Sequence, residues 1–254
     1  MRSLFLGLSA FAAVVSLHSK VEAQDNILGS AQRFAVLGGS TVTNTGPTLI
    51  HGDLGVAPGF AMTGFPPGLL VGGVVHAADA VAQQAQDDIT IAYTSLAGRA
   101  PTQNLTGLDL GGLTLVPGVY SFASSAFLTS SLTLDAQGNP DALFIFQIGS
   151  TLITSSASSV MVINAADGCN VYWQVGSSAT LGTGTVFTGN ILALASITLN
   201  TGAVVNDGRL FARTGAVTLD TNTISAECIV PTPGAAALLG SLLVGGLGSR
   251  KRRL

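Results

Sequence analysis

The sequence predicts a mainly β protein, a solenoid of stacked coils with one long α-helix packed alongside. The first observation behind this is a phrase that recurs through the second half of the chain. It reads Ser178-Ala-Thr-Leu-Gly-Thr-Gly184, then Ser196-Ile-Thr-Leu-Asn-Thr-Gly202, then Ala216-Val-Thr-Leu-Asp-Thr221, with looser copies at Ser131-Leu-Thr-Leu-Asp135 and Ser150-Thr-Leu-Ile-Thr154. Apart from one longer step the copies are roughly 18 to 20 residues apart, a period at which each unit buries its apolar side by stacking on the next. The second observation is composition. Only 9% of residues are charged while glycine numbers 32, and Ser and Thr fill the polar positions, as suits short strands joined by tight turns. The third is a single stretch of helical periodicity in a chain otherwise built of short apolar runs.

The elements follow in order. Arg2, the apolar run Leu4 to Leu17 and the small residues around Val21-Glu22-Ala23 read as a signal peptide over residues 1–23, cleaved before Gln24. Phe34-Ala-Val-Leu37 opens the body as a short strand. Ser40-Thr-Val-Thr-Asn-Thr-Gly46 resembles Ser196 to Gly202, and Pro47 to Leu54 resembles Ala203 to Leu210, so a coil at the N-terminus matches one near the C-terminus. Between the two, Ala57 to Val75 is rich in Gly and Pro and reads as an irregular cap. From His76 to Ala97 the residues Ala78, Val81, Ala85, Ile89, Ala92 and Leu96 form one stripe at three- and four-residue steps, which predicts a helix ended by Gly98. Asp79, Gln83, Gln86, Asp87 and Thr90 fall on its other faces. Beyond it, Ala142 to Ile148 and Asn170 to Val175 read as buried strands, and Val116-Pro-Gly-Val119 and Ala136 to Pro140 as turns.

The C-terminus is a second address. Val230-Pro-Thr-Pro233, an apolar stretch to Gly248 and Arg250-Lys-Arg-Arg253 resemble the sorting signal of bacterial surface proteins processed by an exosortase, with Pro-Thr-Pro where that signal carries Pro-Glu-Pro. The resemblance implies a sorting peptidase as partner. A permanent transmembrane tail anchor is the alternative for residues 229–254. Either way the body, residues 24–228, is expected to be secreted or held at the cell surface.

Charge excludes several functions. Between Gln24 and Cys228 the cations are Arg33, Arg99, Arg209 and Arg213, against twelve of the thirteen acids. An acidic body without lysine offers no footprint for nucleic acid. No Cys/His cluster has metal-ligand spacing and no cofactor is expected. Cys169 and Cys228 are as compatible with one disulfide as with two buried thiols.

Several segments together are similar to one family. Phe34 to Pro47, Gly52-Asp-Leu-Gly-Val56, His76-Ala-Ala-Asp-Ala80, Pro117-Gly-Val-Tyr120, Phe144-Ile-Phe-Gln-Ile148, Val171 to Thr180 and Gly189-Asn-Ile-Leu-Ala193 resemble the microbial ice-binding proteins. The likeness runs from about Leu28 to Ile224. It implies a right-handed discontinuous β-helix in which an N-terminal coil, separate in sequence, stacks among the others. It also implies an ice crystal surface as the partner, and a monomer is expected.

Period-two alternation turns Ile197 and Leu199 inward and their neighbours outward. The outward candidates for ice contact are Ser131, Thr133, Ser178, Thr180, Ser196, Thr198 and Thr218, with Thr133, Thr180, Thr198 and Thr218 in one column or neighbouring ladders. Thr is stiff at χ1 and carries both a methyl and a hydroxyl, so a column of it is ordered before it meets a crystal. The Thr-Gly corners Thr183, Thr185, Thr188, Thr201 and Asn206 form a second, weaker candidate.

Two rival functions remain. A polysaccharide-cleaving enzyme would need paired acids, but Asp53 and Asp207 read as Asx turns, and His51 and His76 show no evident Ser or Asp partner. Arg209 and Arg213 could hold a carboxylate, which the acidic body opposes. A structural or adhesive protein binding exopolysaccharide, matrix or cell envelope is the second rival, and the C-terminal signal favours it.

Overall fold

The structure, a computed structural model, describes residues 27–164 and 167–227. The expected signal peptide, the sorting signal or anchor, and Cys228 lie outside the described residues. Among those described, no helix is long and apolar enough to cross a membrane.

Period-two alternation drives the architecture. A typical coil gives three short strands, for example Val171–Val175, Ala179–Leu181 and Val186–Thr188, each with apolar residues turned to one shared interior. Coils stack as parallel neighbours in direct register. Trp173 lies beside Ile191, Thr180 beside Thr198 and Phe187 beside Val205. The result is three parallel sheets of nine, seven and eight strands enclosing one core. We call them the first, second and third sheets in the order in which each coil visits them.

The N-terminal coil stacks where the resemblance implies. Its strands Phe34–Gly38, Thr41–Thr45 and Leu49–His51 lie against Leu210–Ala212, Val217–Asp220 and Thr223–Ser225, the last coil in sequence. Its match to the later coils differs from a letter-by-letter reading by one residue. Val42, not Thr41, pairs with Val217 and takes the inward place of Ile197. Burial of Val42 decides this, because a one-residue slip would put every apolar side chain of the strand into water.

The segment expected to be an irregular cap continues the sheets instead. Asp53–Val56, Ala61–Thr63 and Leu69–Val71 add a further rung on the N-terminal coil, and Val75–Ala77 follows on the first sheet. Several of its glycines serve close approach between rungs. Gly64 sits at φ +83°, and a Cβ there would lie 1.9 Å from the carbonyl oxygen of Asn44.

The helix spans Ala80–Ala97, starting four residues later than the periodicity suggested. His76 belongs to a strand, and Asp79 is the N-cap, its carboxylate accepting from the amide of Ala82 at 2.8 Å. The buried face is Ala82, Ala85, Gln86, Ile89, Ala92 and Leu96, so Ala78 and Val81 drop out of the predicted stripe. Gln86, expected on another face, is buried and donates to the carbonyl of Ala212 at 3.2 Å. At about 1.5 Å per residue the helix covers roughly 27 Å, carrying the chain back along the first sheet to the far end of the stack. It packs on Phe34, Leu37, Ile145, Tyr172, Leu192 and Phe211. Tyr93 fixes it further, donating to Val175 and lying 4.4 Å beneath the guanidinium of Arg213.

Inside, aromatic side chains repeat with the coils. Phe146 stacks on Trp173 at 3.9 Å between centroids, with Tyr120 and Phe187 continuing on either side. Trp173 is fully buried and its indole N–H donates to the carbonyl of Thr188 at 3.1 Å.

Candidate functional site

The second sheet carries the one long column of like side chains that the repeat predicts. Alternation places the apolar residues Ala179 and Leu181, Ile197 and Leu199, and Val217 and Leu219 inward. Between them stand Thr180, Thr198 and Thr218 in direct register. Thr43 and Thr63 extend the same column from the N-terminal coil and the rung beyond it. Five threonines thus line one face at about 4.8 Å steps. Thr218 and Thr63 are exposed, and Thr180, Thr198 and Thr43 are partly so. In the other direction the column becomes apolar, with Ile153 beside Thr180 and Phe127 beside Ile153, both exposed.

Ser178 and Ser196 border this column, two residues before Thr180 and Thr198 on the same outward side. Their hydroxyls do a specific job. Ser178 Oγ accepts the amide of Ser196 at 3.3 Å, and Ser196 Oγ accepts the amide of Ala216 at 3.2 Å. They stitch successive coils at a corner, and with Ala216 next in line that stitching ends there.

Ser131 and Thr133 are elsewhere. Ser131–Asp135 belongs to the third sheet, where Ser131 pairs with Ser159 and Thr133 with Met161. The two residues therefore do not join Thr180, Thr198 and Thr218. The phrase Ser-Leu-Thr-Leu occurs on both sheets because each needs the same inward Leu pair, and strand alternation alone does not say which side of a three-sided coil a strand occupies. The second-sheet strand of that coil is Ala126–Leu128.

Thr43 and Thr63 were not among the sequence candidates. For Thr43 a signal existed, since Val42 requires an inward place and so turns Thr43 outward. Thr63 lies in the Gly/Pro-rich segment and only the pairing with Thr43 reveals it.

The corner candidates are mostly consumed by their turns. Thr185 is fully buried and its hydroxyl contacts that of Thr154 at 2.9 Å. Thr188 donates to the carbonyl of Val160 at 2.9 Å, and Thr201 to the carboxylate of Asp220. Thr183 and Asn206 remain exposed.

The acids and histidines are more connected than the sequence suggested. Asp53 is not an Asx turn. Its carboxylate pairs with Arg33 and accepts the amide of Val74 at 2.8 Å. His76 Nδ1 lies 2.7 Å from Asp79, and its Nε2 is 3.7 Å from Asp53. His51 Nδ1 is 3.5 Å from Glu227. This network ties the outer rung to the N-cap of the helix. The Ala82 amide, first, and then His76 hold the Asp79 carboxyl below its usual range. Arg209 is buried, with acceptors at Gln32, Asn190 and Ala226, and burial lowers its pKa. Arg213 lies over Tyr93. Arg209 is thus committed within the fold, while Arg213 is half-buried between Tyr93 and the Thr90 hydroxyl. Among the described residues no group of three or more His, Cys, Asp or Glu is placed to hold a metal. Cys169 is disulfide-bonded.

A parallel three-sheet solenoid with an uncharged threonine ladder defines a class of proteins that present an extended, regular surface rather than an enclosed cleft. The sequence model of the ice-binding-like family matches residues 36–225, and the chain belongs to that family. It is 54% identical to an ice-binding protein of Nostoc sp. (strain HG1), over 96% of this chain and 94% of that protein. The crystal structure of an ice-binding protein from an Antarctic biological consortium is similar at TM-score 0.75 and 44% identity, covering 88% of this chain and 96% of that one. That of an ice-binding protein from the Antarctic ascomycete Antarctomyces psychrotrophicus gives TM-score 0.75 and 41% identity, over 78% and 96% of the two chains.

Proposed function

We propose that this protein binds ice through the second sheet, with Thr180, Thr198, Thr218, Thr43 and Thr63 as the contact column and inhibition of ice growth and recrystallisation as the result. The register of these five threonines carries the reading. A crystal surface offers no pocket-sized feature, so affinity must come from many weak contacts repeated in step. Stiff Thr rotamers on hydrogen-bonded strands lose little entropy when the surface is met. Each methyl excludes water while the adjacent hydroxyl holds it, so a ladder of both can order a water layer that merges with the lattice.

The five-threonine column itself contains no charge; Asp109 stands beyond its apolar end, beside Phe127, and Asp220 ends the strand of Thr218, its carboxylate accepting from the hydroxyls of Thr201 and Thr221. The relatives are ice-binding proteins by name, and a binding role rather than catalysis is the function we assign. Residues 1–23 and 229–254 support export and attachment of the body, with a sorting peptidase acting on the tail. Mass spectrometry of the mature protein checks both cleavages.

The test is thermal hysteresis and ice-recrystallisation inhibition on the protein and on Thr180→Tyr and Thr198→Tyr. Activity in the parent and its loss in both folded variants is the expected outcome. No activity in the parent at high micromolar concentration rejects ice binding, and full activity in both variants rejects this face.

A further inference from the structure

The helix crosses the first sheet obliquely and leaves part of it open. One outward column of that sheet runs through Leu37, Phe211, Leu192, Gln174, Gln147, Ser121 and Asn104, each in register with the next. The helix covers Leu37, Phe211 and Leu192. Farther along, its apolar partners are Tyr172 and Ile145, two positions earlier on their strands. Where the helix leaves the column, the residues change from apolar to amide and hydroxyl. The uncovered stretch is a groove of about 390 Å³ lined by Asn104, Ser121, Gln147 and Gln174, with Gly149 and Gly176 at its edge.

Gln174 makes this more than a wet surface. It is only 7% exposed, lines the groove, and its side-chain amide makes no hydrogen bond among the described residues. The amide opens onto the groove, where water holds it in the free protein and a ligand's hydroxyls can take that water's place. Gln147 is half satisfied. Its nitrogen donates to the carbonyls of Leu96 at 2.8 Å and Arg99 at 2.7 Å, closing the end of the helix, while its oxygen has no donor among the described residues. The Ser121 hydroxyl is likewise without a side-chain hydrogen bond among the described residues.

We propose that this groove is a binding site for a neutral saccharide, separate from the threonine face. None of its lining residues is ionisable. The row offers the Gln174 amide and the Ser121 hydroxyl as both donors and acceptors, Gln147 through its oxygen and Asn104 through its nitrogen, which is the mixed pattern a line of sugar hydroxyls matches. The strands Gly118–Phe122, Phe144–Ile148 and Val171–Val175 beneath are paired on both sides, so only the two-residue edge strand Gln103–Asn104 has backbone left for an added peptide strand. Rungs about 4.8 Å apart present these groups in a line, so a linear glycan lying along the groove meets several in turn. The volume lies at the small end of ligand sites, enough for a short glycan segment. Ice held on one face and glycan on another would let the protein fix a polysaccharide coat to a crystal.

Isothermal titration of the full chain with maltohexaose, cellotetraose and dextran tests this, with polygalacturonate as the acidic control. Saturable binding of at least one neutral glycan is expected, weakened about tenfold in Gln174→Met and several-fold in Ser121→Ala, as loss of one or two neutral hydrogen bonds requires. Thermal hysteresis should be unchanged in both variants, so this proposal and the ice reading fail separately. No saturable binding of a neutral glycan up to about 10 mM, binding only of the acidic polymer, or equal binding by both variants and the parent would overturn it.

Discussion

Thr43 and Thr218 are 175 residues apart in the chain and direct register partners on adjacent coils, their hydroxyl oxygens 3.4 Å apart. The contact joins the first coil made to the last, and it extends a threonine ladder that no continuous stretch of sequence contains.

Thr43→Tyr should therefore remove ice activity as fully as Thr198→Tyr does, because a ring there lifts the ladder off the crystal. Thr133→Tyr, on the third sheet, should leave activity intact. Both are surface changes and should shift stability by no more than about 0.5 kcal/mol. Thermal hysteresis read beside thermal melting separates the outcomes. Loss of activity in Thr133→Tyr with retention in Thr43→Tyr would move the binding face to the third sheet.

Ser178→Ala and Ser196→Ala should behave in the opposite way. Each removes an acceptor from a backbone amide of the next coil, so stability should fall by about 1 kcal/mol per substitution. Hysteresis should persist, since the threonine column is untouched. Urea unfolding and hysteresis on the same samples give both numbers.

Trp173→Ala should cost about 3–5 kcal/mol, the range for deleting a large buried aromatic. The ring is stacked on Phe146 and its N–H is bonded to Thr188, so cavity, stacking and a hydrogen bond are lost together. A fall in melting temperature of only a degree or two would show that the coil collapses into the gap.

Acid should loosen the fold in a defined window. The carboxyls of Asp79, Asp88 and Asp135 are held below their ordinary 3.8, chiefly by the Ala82 amide, the Ser30 hydroxyl and the Asn164 side chain respectively. A depressed folded-state pKa contributes stability that is fully present above the unfolded value and is lost as pH falls through the folded one. Melting temperature should thus be level near neutrality and drop below about pH 4. Asp79→Asn keeps a capping oxygen but cannot titrate, so its profile between pH 5 and 2 should be flatter than the parent's. Parallel profiles would show that the Asp79 charge adds nothing.

By itself the sequence determined that the chain is a stack of coils, because apolar alternation at a fixed period has few other solutions. It also determined the outward direction of Thr180, Thr198 and Thr218, which follows from the inward Ile and Leu beside them. The helix was legible in type, though His76 was drawn into it because a capping Asp79 and a preceding strand leave the same polar and apolar letters. What the tertiary structure decided is which side of the coil each strand occupies and which coils are neighbours. Thr133 carries the same local signature as Thr180 and stands on another sheet, since all three sides of a coil obey the same period of two. Thr43 and Thr63 joined the column because closing the stack brings the N-terminal coil beside the last one. Gln174, an ordinary letter in an apolar strand, lines an open groove because the helix crosses that strand at Tyr172, two positions earlier.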